Sequence, residues 1–230
     1  MIRRLSLFAL VAALVPAAAS AQRIDSPYRF IEPGQSVGLY AGYVSTGQNP
    51  LELGPRSAAV FGARYSIRIS GPFKAEATIG FMPSTRDAFA VDTLAGDAQN
   101  RSFLVEADAQ MLSATAALRF DITGARTWNR LQPFLLAGGG VVVDISSLTE
   151  EEEELPVDDR YDFGTSFAGE LGAGVELYLT DRLSLRADVR DAFWKLPTPA
   201  GFVLAAPRGE LSEDEWVSNW VMSAGISVHF

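Results

Sequence analysis

The sequence predicts an all-β fold, an eight-stranded antiparallel up-and-down barrel that crosses a membrane, and three observations predict it. Apolar residues recur at period two in eight successive segments after the first 21 residues. The connections between those segments alternate between short and long. Beyond the N-terminus no stretch is apolar for the ~20 residues a spanning helix needs. Any membrane crossing therefore falls to strands, which can satisfy their backbone groups in lipid only by closing into a barrel.

The N-terminus supplies the compartment. In "MIRRLSLFALVAALVPAAASA" a charged start at Arg3 and Arg4 is followed by an apolar run and by the small-residue site Ala19-Ser20-Ala21. This reads as a cleaved signal peptide over 1–21. The competing reading, an uncleaved membrane anchor, is opposed by Pro16, which interrupts a run already short for spanning. The chain has no cysteine, so it carries neither a lipoprotein-type lipid nor a disulfide. Loss of the leader takes Lys+Arg from 19 to 17 against 28 Asp+Glu, a net charge of −11, which excludes nucleic acid as a partner. The remaining 209 residues suit one domain. Residues 22–34, with "SPYRFIEPGQ" at their end, read as a periplasmic segment, a lid or a tether, and 35–230 as the barrel.

Each strand follows from its alternation. The first, "SVGLYAGYV", places Val37, Leu39, Ala41 and Tyr43 on one face. In the second, "AAVFGARYSIRIS", Phe61, Tyr65, Ile67 and Ile69 oppose Gly62, Arg64, Ser66 and Arg68. The third, "FKAEATIGF", opposes Phe73, Ile79 and Phe81 to Lys74, Glu76 and Thr78. The fourth, "LSATAALRF", opposes Leu112, Leu118 and Phe120 to Ser113, Thr115 and Arg119. The fifth, "QPFLLAGGGVVVD", is apolar on both faces and has no readable orientation. In the sixth, "SFAGELGAGVELYL", Phe167, Leu171, Val175 and Leu177 oppose Glu170, Gly172, Gly174 and Glu176. The seventh, "LSLRADVRD", opposes Leu183, Leu185 and Val189 to Arg186, Asp188 and Arg190. The eighth is the C-terminal stretch, with Trp220, Met222, Ala224, Ile226, Val228 and Phe230 on one face. Residues 45–57, 83–107, 145–165 and 195–215 read as the long loops.

A soluble barrel turns its apolar face inward and a membrane barrel turns it to lipid. Bulk decides between them. Eight strands leave an interior just wide enough for side chains, and the polar face alternates glycine with long charged residues, as such an interior requires. The lumen is thus expected to hold Arg64, Arg68, Lys74, Arg119, Arg186 and Arg190 against Glu76, Glu170, Glu176 and Asp188. A tight "TDR" hairpin sets Glu176 across from Arg186, Gly174 across from Asp188 and Gly172 across from Arg190. Glu76 falls within diagonal reach of Arg68. Asp191 is a conflict, because parity sends it to lipid. A β-bulge after Arg190, turning Ala192 and Trp194 outward, would resolve it.

From Trp220 to Phe230 the eighth strand covers ten residue steps, roughly 33 Å of chain and roughly 25 Å of height at a tilt of about 40°. Trp220 and Phe230 stand at the two edges of that band, as girdle aromatics. The signal peptide, eight alternating strands and the ending "SAGISVHF" resemble the small outer-membrane β-barrels of Gram-negative bacteria, the OmpA-type and OmpX-type group. The resemblance implies location in the outer membrane, contact with its lipid and lipopolysaccharide, and Phe230, Val228 and Ile226 as the signal read by the barrel-assembly machinery. The chain departs from OmpA in lacking a C-terminal peptidoglycan-binding domain. The resemblance implies no activity.

Chemistry-bearing motifs are scarce. Some such barrels modify lipid A with a serine and a histidine near the outer leaflet. The single histidine here, His229, faces the lumen at the opposite rim, and Ser227 is the one nearby hydroxyl on its strand. Gly138–Gly140 lack the Lys-Ser/Thr of a phosphate loop. No catalytic, cofactor-binding or metal-ligating residue is assigned. The acidic stretch 150–162, with Glu150–Glu154, Asp158, Asp159 and Asp162 against Arg160, reads as a solvated loop. A divalent-cation or cationic-partner site is its functional reading, although the spacing is not that of an EF-hand. A non-enzymatic structural or surface-interaction barrel with a plugged polar lumen is the leading reading. The alternatives are a narrow channel for small or apolar solutes, a lipid A-modifying enzyme, and a soluble periplasmic lipocalin-like binder.

Overall fold

The computed structural model describes residues 26–91, 98, 101–207 and 210–230. The leader expected over 1–21 lies outside them. Two three-residue strands, β1 (Tyr28–Phe30) and β6 (Arg126–Trp128), accompany eight long ones: β2 (Gln35–Ser45), β3 (Ala58–Ser70), β4 (Phe73–Val91), β5 (Arg101–Asp121), β7 (Leu131–Asp144), β8 (Thr165–Tyr178), β9 (Leu183–Pro197) and β10 (Asp214–His229). Each long strand pairs antiparallel with the next, and β10 pairs back onto β2 along Trp220↔Ser45 to His229↔Ser36, which closes the barrel. The register can be followed once around the wall. Gln35 leads through Ile67, Ala75, Leu118, Ala137, Leu171, Asp191 and Trp220 to Ser45. The circuit returns to β2 ten residues higher. That stagger over eight strands corresponds to a tilt of about 40°.

The apolar faces of the sequence point outward. Leu39, Ile79, Leu118, Leu171 and Ile226 are exposed, and Arg64, Lys74, Glu76, Arg119 and Arg186 are buried inside. The fifth predicted segment, β7, turns Phe134, Leu136 and Val142 inward and Leu135 and Val141 outward. Short turns join the strands at one end. Gly71, at φ +52, makes the β3–β4 turn, and Asn129 and Arg130, at φ 48 and 67, make a two-residue turn between β6 and β7.

Two expectations are corrected. The stretch 83–107 is largely strand: β4 and β5 continue pairing to Val91↔Arg101 as a ribbon that rises past the rest of the wall. Pro83 is accommodated there because the pairing of β4 with β3 has ended at Phe81. There is also no bulge at Arg190. Pairing runs unbroken through Asp191 on both sides, and Trp194 is buried inside. Asp191 stays outward beside Trp220, at the edge of the apolar band, where the Ser218 hydroxyl donates to it at 2.6 Å.

The segment before β2 is not free. Tyr28–Phe30 pairs with Arg126–Trp128, Ile31 is buried, and its carbonyl accepts from Arg68 at 2.9 Å. At the other end the long loops fold over the barrel mouth. Leu51, Leu53, Tyr161, Phe163, Leu196, Phe202 and Ala205 are buried together, with α2 (Ala200–Ala205) among them.

Candidate functional site: the charged lumen

Inward residues on β3, β4, β5, β8 and β9 bring together two layers of charge. In the layer nearer the short turns, Lys74 pairs with Asp121 at 3.0 Å, and Arg119 pairs with Asp121 and Glu176, both at 2.7 Å. Gln132 accepts from Lys74 at 3.2 Å and from the Tyr178 hydroxyl at 3.1 Å. In the middle layer Glu76 accepts from Arg186 and Arg190, each at 3.0 Å. Asp188 pairs with Arg64 at 2.9 Å, Arg186 at 3.1 Å and Arg190 at 2.7 Å, and Arg190 also reaches Glu170 at 3.2 Å. Phe134 lies between the layers, with the Arg119 and Arg186 guanidiniums over its ring at 3.9 and 4.3 Å. Gly174, directly opposite Phe134, makes the room, since a Cβ there would come within 2.5 Å of the ring.

The direct register predicted from the hairpin is present: Glu176 faces Arg186, Gly174 faces Asp188 and Gly172 faces Arg190. The ion pairs differ from it. Arg186 turns to Glu76 and Asp188, while Glu176 is held by Arg119. Glu76 does not meet Arg68, which leaves the network for the Ile31 carbonyl. The reason is reach. Across a barrel this narrow the long Arg186 side chain reaches Glu76 on the opposite wall, and Glu176 on the adjacent strand is left to Arg119. β4 and β9 stand four strands apart whichever way the wall is followed, so the Glu76 pairs join opposite sides. Asp121, which sequence reading missed, was signalled by parity one step past Phe120. With Asp121 counted and Arg68 removed, five cations (Arg64, Lys74, Arg119, Arg186, Arg190) meet five anions (Glu76, Asp121, Glu170, Glu176, Asp188).

His229 sits at the lower edge of this network. Its Nε2 lies 2.7 Å from the Ser184 hydroxyl and 3.3 Å from Glu176. Ser184, not Ser227, is its serine partner. The Ser184 hydroxyl donates to Glu176 at 2.6 Å and so accepts from His229. A nucleophile relay needs the carboxylate on one ring nitrogen and the serine on the other. Here both crowd the same nitrogen, and Ser184 is fully buried.

Above the network lies a cavity of about 80 Å³ walled by Tyr40, Val60, Met82, Met111 and Trp194. The acidic stretch is tied to the same apolar cluster through Tyr161 and is not a simple solvated loop. Thr149 caps α1 (Glu150–Glu153) reciprocally with Glu152, and Glu152 is buried against Arg86 at 2.6 Å. Burial pushes the nearby Tyr161 phenol well above its ordinary range. Among the described residues no group of three or more His, Cys, Asp or Glu stands close enough to hold a metal ion. Trp220 and Phe230 both point outward and are exposed.

A family model for the outer membrane protein beta-barrel domain matches residues 7–230. The chain belongs to this family. The protein is therefore an outer-membrane barrel, and the soluble lipocalin-like reading is set aside. Its fold is similar to that of Neisserial surface protein A, NspA, at TM-score 0.53 and 16% identity, with 86% of this chain and 97% of that one covered. It is also similar to OprG from Pseudomonas aeruginosa, at TM-score 0.50 and 16% identity, with 90% and 99% covered. Identity at this level carries the fold and leaves the role open. The comparison with curated protein sequences found no match to this chain.

Proposed function

We propose that the protein is a non-enzymatic outer-membrane barrel with a structural or surface-interaction role, its lumen plugged and its short-turn end in the periplasm. The observation that carries this reading is the joining of opposite walls by Glu76 with Arg186 and Arg190. A hydrated solute would have to displace these pairs, and breaking a buried pair costs about 3–5 kcal/mol. The apolar cap of Leu51, Leu196 and Phe202 supports closure from the other end. The absence of an activated nucleophile at Ser184 and His229 supports a role without catalysis. Purified protein in a planar bilayer is expected to give no large stable conductance. Steady ion flow of porin size would replace this reading with the channel.

The outward aromatics and aliphatics contact lipid and lipopolysaccharide, with Trp220 and Phe230 as girdle. Phe230, Val228 and Ile226 lie on the strand that closes the seam with β2 and act as the signal for the assembly machinery. Phe230→Ala is expected to lower outer-membrane insertion and leave degraded periplasmic chain. Unchanged surface levels would remove this role.

A further inference from the structure

The β1–β6 ladder has one face that its own packing does not explain. Trp128 pairs with Leu131, and Leu131 pairs with the outward Leu177, so Trp128 belongs to the outer face of the wall. Tyr28 pairs with Trp128, and Phe30 pairs with Arg126, on that same face. Tyr28, Phe30 and Trp128 are 49%, 66% and 48% exposed, whereas Thr127, on the opposite face, is buried. Three aromatics and an arginine thus continue the lipid-facing surface below β5. A three-residue ribbon is marginal in water, and its apolar face is the wrong one for water.

The barrel's stagger fixes their height. Rows of paired residues climb toward the long loops in chain order, about 3 Å per strand at a tilt near 40°. From Leu131 the row passes through Leu177 and Leu185 to Ile226, three strands on. Phe230 lies four residues below Ile226, a descent of about 10 Å, and so returns to the level of Leu131. Trp128 falls about 3 Å below that level, Tyr28 about 6 Å, and Phe30, two residues up the ladder, about 1 Å. All four aromatics share one rim. Tyr and Trp favour the layer where an apolar ring meets polar headgroups, and Arg126 beside Phe30 is placed for a lipid phosphate.

We propose that the β1–β6 ladder is a phospholipid anchor: it seats Tyr28, Phe30 and Trp128 in the headgroup layer of the inner leaflet and makes the segment before β2 part of the membrane-embedded wall. The choice of leaflet rests on the periplasmic assignment of the short-turn end; immersion does not. The chain has no native cysteine, so single cysteines at Phe30, Trp128, Arg29 and Glu32 can carry nitroxide labels in phospholipid vesicles. Collisions with a water-soluble nickel chelate are expected to be several-fold lower at Phe30 and Trp128 than at Arg29 and Glu32. A Phe30 label as wet as the Glu32 label overturns the anchor. Because a label at Trp128 could loosen the ladder, a second measurement uses its native fluorescence. Phospholipids brominated near the headgroup should quench the unlabelled barrel more than its Trp128→Phe variant, and equal quenching overturns the proposal. Labelling of Glu32→Cys from outside intact cells would overturn the orientation adopted above. Periplasmic labelling with a wet Phe30 would overturn the anchor alone.

Discussion

The barrel is inside-out in one half of its length and right-side-out in the other. On β4, Lys74 and Glu76 point inward with Phe73 and Ile79 outside; a few residues on, Met82 and Ala88 point inward with Asp87 outside. β5 repeats the change from Arg119 inside and Leu118 outside to Met111 and Ala107 inside, with Glu106 and Asp108 outside. β9 passes from Arg186 and Arg190 inside to Trp194 and Leu196 inside, with Lys195 outward and paired to Asp214. On β4 alternation holds through the inversion as far as a register shift between Ala88 and Phe89; its polarity inverts. Below the inversion the outside medium is lipid and the charges must pair within. Above it the outside medium is water, and the same strands build a largely apolar core, with Arg86 paired to Glu152 inside it. One backbone serves two solvents.

The largest effect is expected from Glu76→Ala, which leaves Arg186 and Arg190 short of a buried partner. Unfolding in urea should show a loss of about 3–5 kcal/mol. A change under 1 kcal/mol would mean that water, not ion pairing, fills the lumen. Next, Ala224→Arg, on the lipid face of β10, should cost about 2–4 kcal/mol. In the capped half the rule reverses, and Leu196→Ala, inward and fully buried, should cost about 2–3 kcal/mol as a core cavity does. The smallest effect is Glu106→Arg, outward but above the inversion, where only the exposed pair with Arg56 at 3.2 Å is lost, expected within about 1 kcal/mol. If Glu106→Arg cost as much as Ala224→Arg, the lipid band would reach higher than the polarity change and the comparison would fail.

The same inversion marks what could be read from the sequence. The barrel half was legible because apolar-out, polar-in alternation held for every strand but β7, where glycines and aliphatics occupy both faces. At Met82 and Met111 the polarity changes sign. A reading keyed to the apolar face stops there, and the ribbon of β4 and β5 reads as loop. Asp191 misled for a related reason: a charge on the lipid face suggested a bulge, whereas it stands at the rim beside Trp220 with a hydroxyl partner. The lumen residues were legible by parity, but their pairing was not. Parity gives which residues face inward, and only the width of the closed barrel decides that Arg186 reaches Glu76 across it.

Glu76 and Arg186 are 110 residues apart in the chain, and they meet only when opposite walls stand at their final spacing. While the sheet is still open, both charges keep their water. Zipping of β2 against β10 is the event that strips it, so the costliest dehydration coincides with the last closure of the ring rather than with any early hairpin. Contacts of such long sequence separation come late and form slowly. They are expected to be little developed at the folding barrier, where their loss accelerates unfolding more than it slows folding. The ten buried charges would then act as a latch on lifetime: Glu76→Ala should shorten the life of the inserted barrel far more than it delays its assembly.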